Sequence, residues 1–89
     1  MHQVIYSAHA REDLLKIDRK ISQRIIKKIQ YFSQQKTPLS FAKKLTNPAL
    51  GQYRFRIGDY RDIFDIDSNG EIQILFILRI KHRKDVYNI

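Results

Sequence analysis

The sequence lacks cysteine and tryptophan, and its 89 residues include only three glycines and two prolines. Without cysteine the chain has neither a disulfide framework nor a thiolate metal site, which favours the reducing cytoplasm. So little glycine and proline beside 43% hydrophobic residues argues against a disordered chain and fits one domain over residues 1–89. There is no run of about 18 apolar residues and no charged-then-apolar leader, so we expect neither a membrane span nor a signal peptide.

Acidic residues are also scarce: nine stand against seventeen lysines and arginines, for a formal net charge of +8. Residues 1–50 hold ten basic and three acidic residues, a balance of +7, whereas residues 51–89 hold seven and six, a balance of +1. A small domain this basic is expected to bind a polyanion, above all nucleic acid. The alternatives are a lysine-rich solvated surface and a patch that binds an acidic protein.

Apolar periodicity predicts two helices in the first half of the chain. Residues 2–6 form a β-prone run, after which Ser7 and Asp18 are placed to cap a short and a longer helix. Each helix has one apolar stripe, and the second is basic on its other side, which is the pattern of an αα-hairpin packed on an apolar surface. The apolar positions are Ala10, Leu14 and Ile17 in the first helix and Ile21, Ile25, Ile29 and Phe32 in the second.

From Gln52 onward the apolar period changes to 2, which predicts strands joined at the turn signals Gly58-Asp59 and Asn69-Gly70. The last strand, over residues 72–80, is apolar on both faces and is expected to be central. Strict alternation places Ile80 on the face opposite Leu75 and Ile77. Residues 41–45 fit either a helical turn or extended backbone. The predicted fold is an α+β domain of order β-α-α-β-β-β, with the two helices packed on a small twisted, mostly antiparallel sheet.

No residue pattern indicates a metal or a cofactor. The histidines His2, His9 and His82 share no ligand spacing, and no paired carboxylates accompany them. The sequence also has no Gly-rich phosphate loop and no G-x-S-x-G elbow. We therefore expect no metal site and no cofactor, and a Ser-His-Asp hydrolase has no support.

Arginines alternate with apolar residues in the second half of the chain. Arg54 and Arg56 fall on one face of a strand, and Arg61 follows on the next strand. If Arg79 or Lys81 projects from the central strand to the same side, these cations form a groove that clasps phosphate. The alternative is the ordinary polar face of an antiparallel sheet, although such faces usually mix both signs of charge.

Two residues near the C-terminus extend this hypothesis. Tyr87 follows the basic residues 81–84 and suits stacking on a base or contact with a ribose. The alternative for Tyr87 is an aromatic ring packed on the core. His82 is a candidate acid or base near neutral pH, although a lone histidine at a strand end is more often a hydrogen-bonding residue.

Residues 53–61 (YRFRIGDYR) and 82–87 (HRKDVY) resemble the RelE branch of the RelE/ParE toxin superfamily. The element over residues 10–17, the long basic helix and residues 42–45 (AKKL) are similar as well, so the resemblance covers nearly the whole chain. The resemblance implies two helices on a small twisted sheet. It also implies a toxin of a type II toxin–antitoxin pair, which enters the ribosomal A site, cuts mRNA there and is neutralised by an antitoxin protein. The residues that match family active-site positions are Arg54, Arg56, Arg61, the basic residue at or near Lys81, and Tyr87, with His82 and Arg83 as the alternatives to Lys81.

The general base for such a reaction stays open at this point, because arginine does not lose its proton in proteins. The candidates are Lys81, His82, Tyr87 and a group of the ribosome. Asp62 departs from the family pattern, in which this position is usually apolar. The remaining basic residues are expected to contact RNA or the ribosome: Lys27, Lys28, Lys43, Lys44, Arg79, Arg83 and Lys84. The competing functions are a ParE-like toxin that inhibits DNA gyrase without cutting RNA and an inactive binding module.

Overall fold

In a computed structural model, which describes residues 2–69 and 72–86, two helices cover one face of a five-stranded sheet. The predicted α+β class is confirmed. Neither helix in the described part of the chain is long and apolar enough to cross a membrane. The elements are β1 (Gln3–Tyr6), α1 (Ala8–Lys16), α2 (Arg19–Gln34), β2 (Ala42–Lys44), β3 (Tyr53–Ile57), β4 (Tyr60–Asn69) and β5 (Ile72–His82), with 3₁₀ turns at Pro38–Phe41 and Arg83–Asp85.

Both helices begin at the predicted caps. The Ser7 hydroxyl accepts a hydrogen bond from the Ala10 N–H, and the Asp18 carboxylate accepts one from the Lys20 N–H. Each cap satisfies one of the N–H groups that a helix start leaves without an intrahelical acceptor. The local chemistry of the two caps therefore sets where each helix starts.

The predicted apolar stripe of α2 packs on the sheet. Ile25, Ile29 and Phe32 are buried, and the Phe32 ring centroid lies 4.7 Å from that of Phe55 on β3. Phe55 in turn stacks on Phe64 of β4 at 4.3 Å. Aromatic contacts at these separations add to the free energy of apolar burial, so this column joins the helix layer to the middle of the sheet.

The strand order in the sheet is β1-β5-β4-β3-β2. All neighbours are antiparallel except β1 and β5, which pair in parallel. Residues 41–45, which fit either a helical turn or extended backbone, contain both. Phe41 ends a 3₁₀ turn over Pro38–Phe41, and the additional edge strand β2 follows it. The predicted Asn69-Gly70 turn falls where β4 ends, and Gly70 lies outside the described residues.

The prediction that side chains alternate strictly along β5 is wrong, because the strand contains a bulge. Phe64 pairs with Ile77 and Ile63 pairs with Arg79, so Leu78 is an extra residue. Beyond it the faces are exchanged, and Ile80 joins Leu75 and Ile77 in the core. A bulge of one residue has this effect because side chains alternate with a period of 2. Residues 79 and 81 are thereby directed to the face that the helices leave uncovered.

The connection between β2 and β3 covers part of this second face of the sheet, the one that the helices leave uncovered. Gly51 lies so close to Ile63 that a Cβ atom at this position would be 2.7 Å from the isoleucine Cγ2, and its φ of +150° also favours glycine. The next residue, Gln52, is fixed by two hydrogen bonds to β4, from its own N–H to Asp65 and from the Ile66 N–H to its side chain. One end of the second face is therefore closed, and the end that carries the arginines is open.

Asp62 lies on the core side of β4 and is fully buried. Neither carboxylate oxygen has a hydrogen-bond partner within residues 2–69 and 72–86. Burial raises the pKa of Asp62 well above its ordinary value, an effect that Arg61 opposes only in part. Burial, with a contribution from the nearby Asp62 carboxylate, also raises the pKa of Tyr6 to about 12.

We predict that Asp62→Asn stabilises the protein in a pH-dependent way. Because the folded-state pKa is raised above the unfolded value of 3.8, the wild-type protein loses stability as pH rises from that value to the folded pKa. The loss is about 1.4 kcal/mol per pH unit within this window. The gain from the substitution should thus be small at pH 4 and large at pH 7, as measured by urea denaturation. Asp67→Asn, at an exposed position of the same strand, is the control and should show no such trend. An equal gain at both pH values would contradict the prediction.

Candidate nucleic-acid interface

Three cations lie side by side across the uncovered face of the sheet. Arg56 of β3 is directly opposite Arg61 of β4, and Arg61 is directly opposite Lys81 of β5. We call these three residues the cationic row. Directly opposed side chains on one sheet face have Cβ atoms about 5 Å apart, so the register brings three positive charges together. The sequence predicted this grouping, and the bulge in β5 is what brings Lys81 into it.

A second row lies next to the first, towards the closed end of the face. Lys43 of β2 pairs with Arg54, and Arg54 pairs with the buried Ile63. The Arg54 Nε is itself buried and has no hydrogen-bond partner in the described part of the chain. An unsatisfied donor of a cationic group is costly, and an anion bound at this face would satisfy it.

The Arg61 guanidinium is fixed in place by backbone oxygens. One of its terminal nitrogens, Nη1, donates to the carbonyls of Gly58 and Tyr60, each at 3.0 Å. Burial, followed by repulsion from Arg56 and Arg54, lowers the pKa of Arg61 from its ordinary value. The group stays charged at physiological pH, because the arginine pKa starts above 12. Arg61 is thus an oriented positive charge with donors left over for a ligand.

Arg79, one of the two predicted cations of β5, is instead held by α1. Its guanidinium makes two hydrogen bonds to the Asp13 carboxylate, at 2.9 and 3.1 Å, and Asp13 also accepts from the Ile80 N–H. Burial alone would raise the pKa of Asp13, but these hydrogen bonds outweigh it and lower the pKa. Arg79 therefore ties α1 to the edge of β5, and Lys81 is the β5 cation that joins the row.

His82 and Arg83 are directed to different sides of the sheet. His82 pairs with Tyr60 on the helix side, with ring centroids 5.2 Å apart, and its Nδ1 accepts from the Lys84 N–H. Arg83 lies near Arg61 and forms an exposed ion pair with Asp59 at 3.5 Å. The structure therefore brings Arg83 to the edge of the cationic row and directs the His82 ring away from it.

The other basic residues predicted to contact RNA do not join this face. Lys27 and Lys28 lie on the exposed side of α2, and Lys44 pairs with Tyr53, whose side chain faces the core. Tyr87 lies outside the described residues. Residues 2–69 and 72–86 contain no cluster of three His, Asp or Glu side chains that could hold a metal ion.

Sequence reasoning missed two parts of this site, the Asp13 clamp and the loop at Gly51. Asp13 bonds to residues 66 and 67 positions away, and no local pattern in the first helix indicates a partner at that distance. In the sequence, a glycine at position 51 indicates only that a regular helix or strand is interrupted there. Its close contact with Ile63 depends on the path of the whole connection.

The cationic row should cost stability, because like charges directly opposite each other on a sheet repel. We predict that Arg56→Gln raises the free energy of unfolding by up to about 1 kcal/mol at low salt. The gain should shrink in roughly 1 M salt, where the screening length falls to about 3 Å. Urea denaturation at both salt concentrations measures this, with the exposed Lys36→Gln as control. A variant that is less stable than wild type at low salt would show that the row is not repulsive.

Comparison with known proteins places this geometry in a family. Residues 4–87 match the family described as ParE toxin of type II toxin-antitoxin system, parDE. The chain is 30% identical over 86 residues to Toxin RelG of Mycobacterium tuberculosis, an alignment that covers 97% of this chain and 95% of that toxin.

Solved structures of toxins have the same fold. The toxin–antitoxin complex RelBE2 from Mycobacterium tuberculosis contains a chain similar at a TM-score of 0.70 and 27% identity, with 91% of this chain and 96% of that chain covered. The RelB–RelE antitoxin–toxin complex from Methanococcus jannaschii gives 0.59 and 26%, with coverage of 93% and 94%. At 13% identity, the YoeB/ParE toxin from Agrobacterium tumefaciens is alike in fold, with a TM-score of 0.66 and coverage of 90% and 97%. The chain therefore belongs to the ParE toxin family of type II toxin–antitoxin systems, within the RelE/ParE superfamily.

Proposed function

We propose that this toxin is a ribosome-dependent endoribonuclease that cuts mRNA in the A site and so inhibits translation. The observation that carries the proposal is the cationic row, with Arg54 and its unsatisfied Nε beside it. A row of like charges weakens the fold, so its presence on an open face favours a role in binding phosphate.

The proposed reaction is attack of a ribose 2′-OH on the adjacent phosphorus. A new O–P bond forms to the 2′-oxygen and the bond to the 5′-oxygen breaks, which leaves a 2′,3′-cyclic phosphate and a 5′-hydroxyl. The 2′-OH proton passes to a base, and the leaving 5′-oxygen takes a proton from an acid. Negative charge grows on the phosphate oxygens in the transition state. Arg61, at the centre of the row and already oriented by Gly58 and Tyr60, is placed to stabilise that charge, with Arg56 and Arg54 at its sides.

Proton transfer needs a group other than the three arginines. His82 was a candidate, but its ring lies against Tyr60 on the helix side of the sheet. Lys81 is directly opposite Arg61, and a lysine amine, unlike a guanidinium, belongs to the groups that serve as general acid or base. Among the described residues, Lys81 is therefore the proton carrier that we propose, and Tyr87 remains a candidate from outside them.

We infer that the physiological partners are the ribosome with its mRNA, in the cytoplasm, and a cognate antitoxin. Two of the similar solved structures are complexes of a toxin with its antitoxin. An antitoxin with an acidic segment would be complementary to the cationic row. Such a segment would compete directly with RNA phosphate for the same charges.

We predict that Arg61→Ala and Arg56→Ala lower mRNA cleavage, with the larger loss for Arg61. Removing one fixed group that stabilises transition-state charge costs roughly 10²- to 10³-fold in rate. Primer extension on a translated mRNA after brief induction of the toxin measures the cleavage. Arg11→Ala, at an exposed position of α1, is the control that should cut mRNA at the wild-type rate, and Arg61→Lys retains the charge without the planar fork of donors.

Folding is checked by the denaturation midpoint of each variant, since Arg61 also bonds to the Gly58 turn. If Arg61→Ala and Arg56→Ala both cut mRNA at the wild-type rate, the cationic row is not the active site. Loss of activity in Arg56→Ala together with unchanged or increased stability would support the proposal, because Arg56 is exposed.

Inhibition of DNA gyrase is the second candidate, and the description of the matched family as ParE toxins favours it. The two functions make opposite predictions after induction. Cleaved mRNA with normal gyrase supercoiling activity supports the endoribonuclease. Intact mRNA with loss of supercoiling by purified gyrase would replace it with the gyrase inhibitor.

A further inference from the structure

The exposed side of α2 carries positive charge without interruption. Lys20, Arg24, Lys27 and Lys28 follow one another at spacings of four, three and one residues, which places them on one side of the helix. No acidic residue occurs between positions 19 and 34. We call these four residues the α2 stripe.

The α2 stripe does not help the helix to form. Lys20 with Arg24, and Arg24 with Lys28, are like-charge pairs four residues apart, and such pairs destabilise a helix. The helix holds because Ile25, Ile29 and Phe32 are buried on its other side. The demands of folding therefore give no reason for the stripe, which points to a ligand.

The stripe is a shaped surface. Together with Gln23 and Tyr31 it lines an open groove. The Lys28 ammonium lies 5.3 Å from the centroid of the Tyr31 ring and 5.5 Å from that of Phe32, within the range of cation–π attraction. These contacts limit where the Lys28 charge can lie.

The groove is separate from the cationic row. Phe55 packs against α2 on the inner face of the sheet, whereas Arg54 and Arg56, its neighbours along β3, lie on the outer face. Arg24 lines a small cleft with Ile57, Gly58 and Tyr60, so the β3–β4 turn lies between the two surfaces. The molecule thus has one basic surface on each side of this turn.

We propose that the α2 stripe binds the phosphate backbone of double-stranded RNA. From Lys20 to Tyr31 the groove extends over about 17 Å of straight helix, a fixed array of charges that a rigid duplex binds without the loss of conformational entropy that ordering a flexible strand costs. Three of its four cations are lysines, compact charges suited to phosphates without base recognition. Single strands are bound mainly by stacking on several aromatic rings, and among the described residues that line this groove only Tyr31 is aromatic. The binding does not depend on RNA cleavage.

The test compares two variants that each remove three charges. Lys20→Gln, Arg24→Gln and Lys27→Gln together remove three of the four charges of the α2 stripe, whereas the control combines Arg11→Gln, Lys16→Gln and Lys36→Gln at exposed positions elsewhere. Fluorescence anisotropy with a labelled RNA hairpin, from about 50 to 200 mM salt, gives the affinity and its salt dependence. The hairpin is examined on a gel after each titration, and circular dichroism verifies that α2 is retained.

The stripe variant should lose affinity. The plot of log K against log salt should also become less steep, with the magnitude of its negative slope smaller by roughly 2 to 3 than in wild type. The control should retain the wild-type slope. Equal losses in both variants would show that net charge alone drives binding, and an unchanged stripe variant would show that α2 takes no part; either result overturns the proposal. Tighter binding of an unpaired RNA of the same length would exclude the duplex as ligand. Cleavage is measured separately by primer extension, so this proposal and that of the endoribonuclease can fail independently.

Discussion

The arrangement of charges on the uncovered face of the sheet depends on the burial of one side chain, Phe55, on the other face. It is enclosed between Phe32 of α2, at 4.7 Å, and Phe64 of β4, at 4.3 Å. Because neighbouring side chains in a strand point to opposite faces, a buried Phe55 directs Arg54 and Arg56 outward. The register of β3 with β4 then places Arg61 opposite Arg56. Apolar packing on one side of the sheet thus imposes the charge arrangement on the other, and a shift of one residue in β3 would exchange the two.

That packing must also overcome unfavourable charge on both sides of β4. Arg61 lies between two other cations on the outer face, and the next residue, Asp62, is buried on the inner face with neither oxygen hydrogen-bonded among the described residues. The two charges are adjacent in the chain, yet Arg61 lowers the pKa of Asp62 less than burial raises it. For Arg61 the site offers a reason in phosphate binding. The structure offers no such reason for Asp62, whose side chain lies on the core side of the sheet, opposite the cationic row.

Features specified by neighbouring residues could be predicted from the sequence. Ser7 and Asp18 cap the two helices, and the alternation of Tyr53, Phe55 and Ile57 with two arginines defines β3, because each pattern acts over a few residues. Long-range features could not be predicted in this way. Two such features join residues about 70 positions apart: the parallel pairing of β1 with β5 and the hydrogen bonds of Arg79 to Asp13. The local periodicity of a sequence does not indicate contacts over that distance.

The bulge at Leu78 shows how a long-range feature decides the chemistry. By strict alternation from Leu75 and Ile77, Lys81 would point into the core beneath the helices, and His82 would point to the outer face. The extra residue reverses both: Ile80 and His82 face the helix side, and Lys81 lies opposite Arg61. Leu78 itself is accommodated on the outer face near Gly51, where the β2–β3 connection covers it. Bulges commonly redirect side chains next to active sites. In this toxin a single inserted residue places lysine rather than histidine opposite Arg61, and the proposed proton transfer depends on that placement.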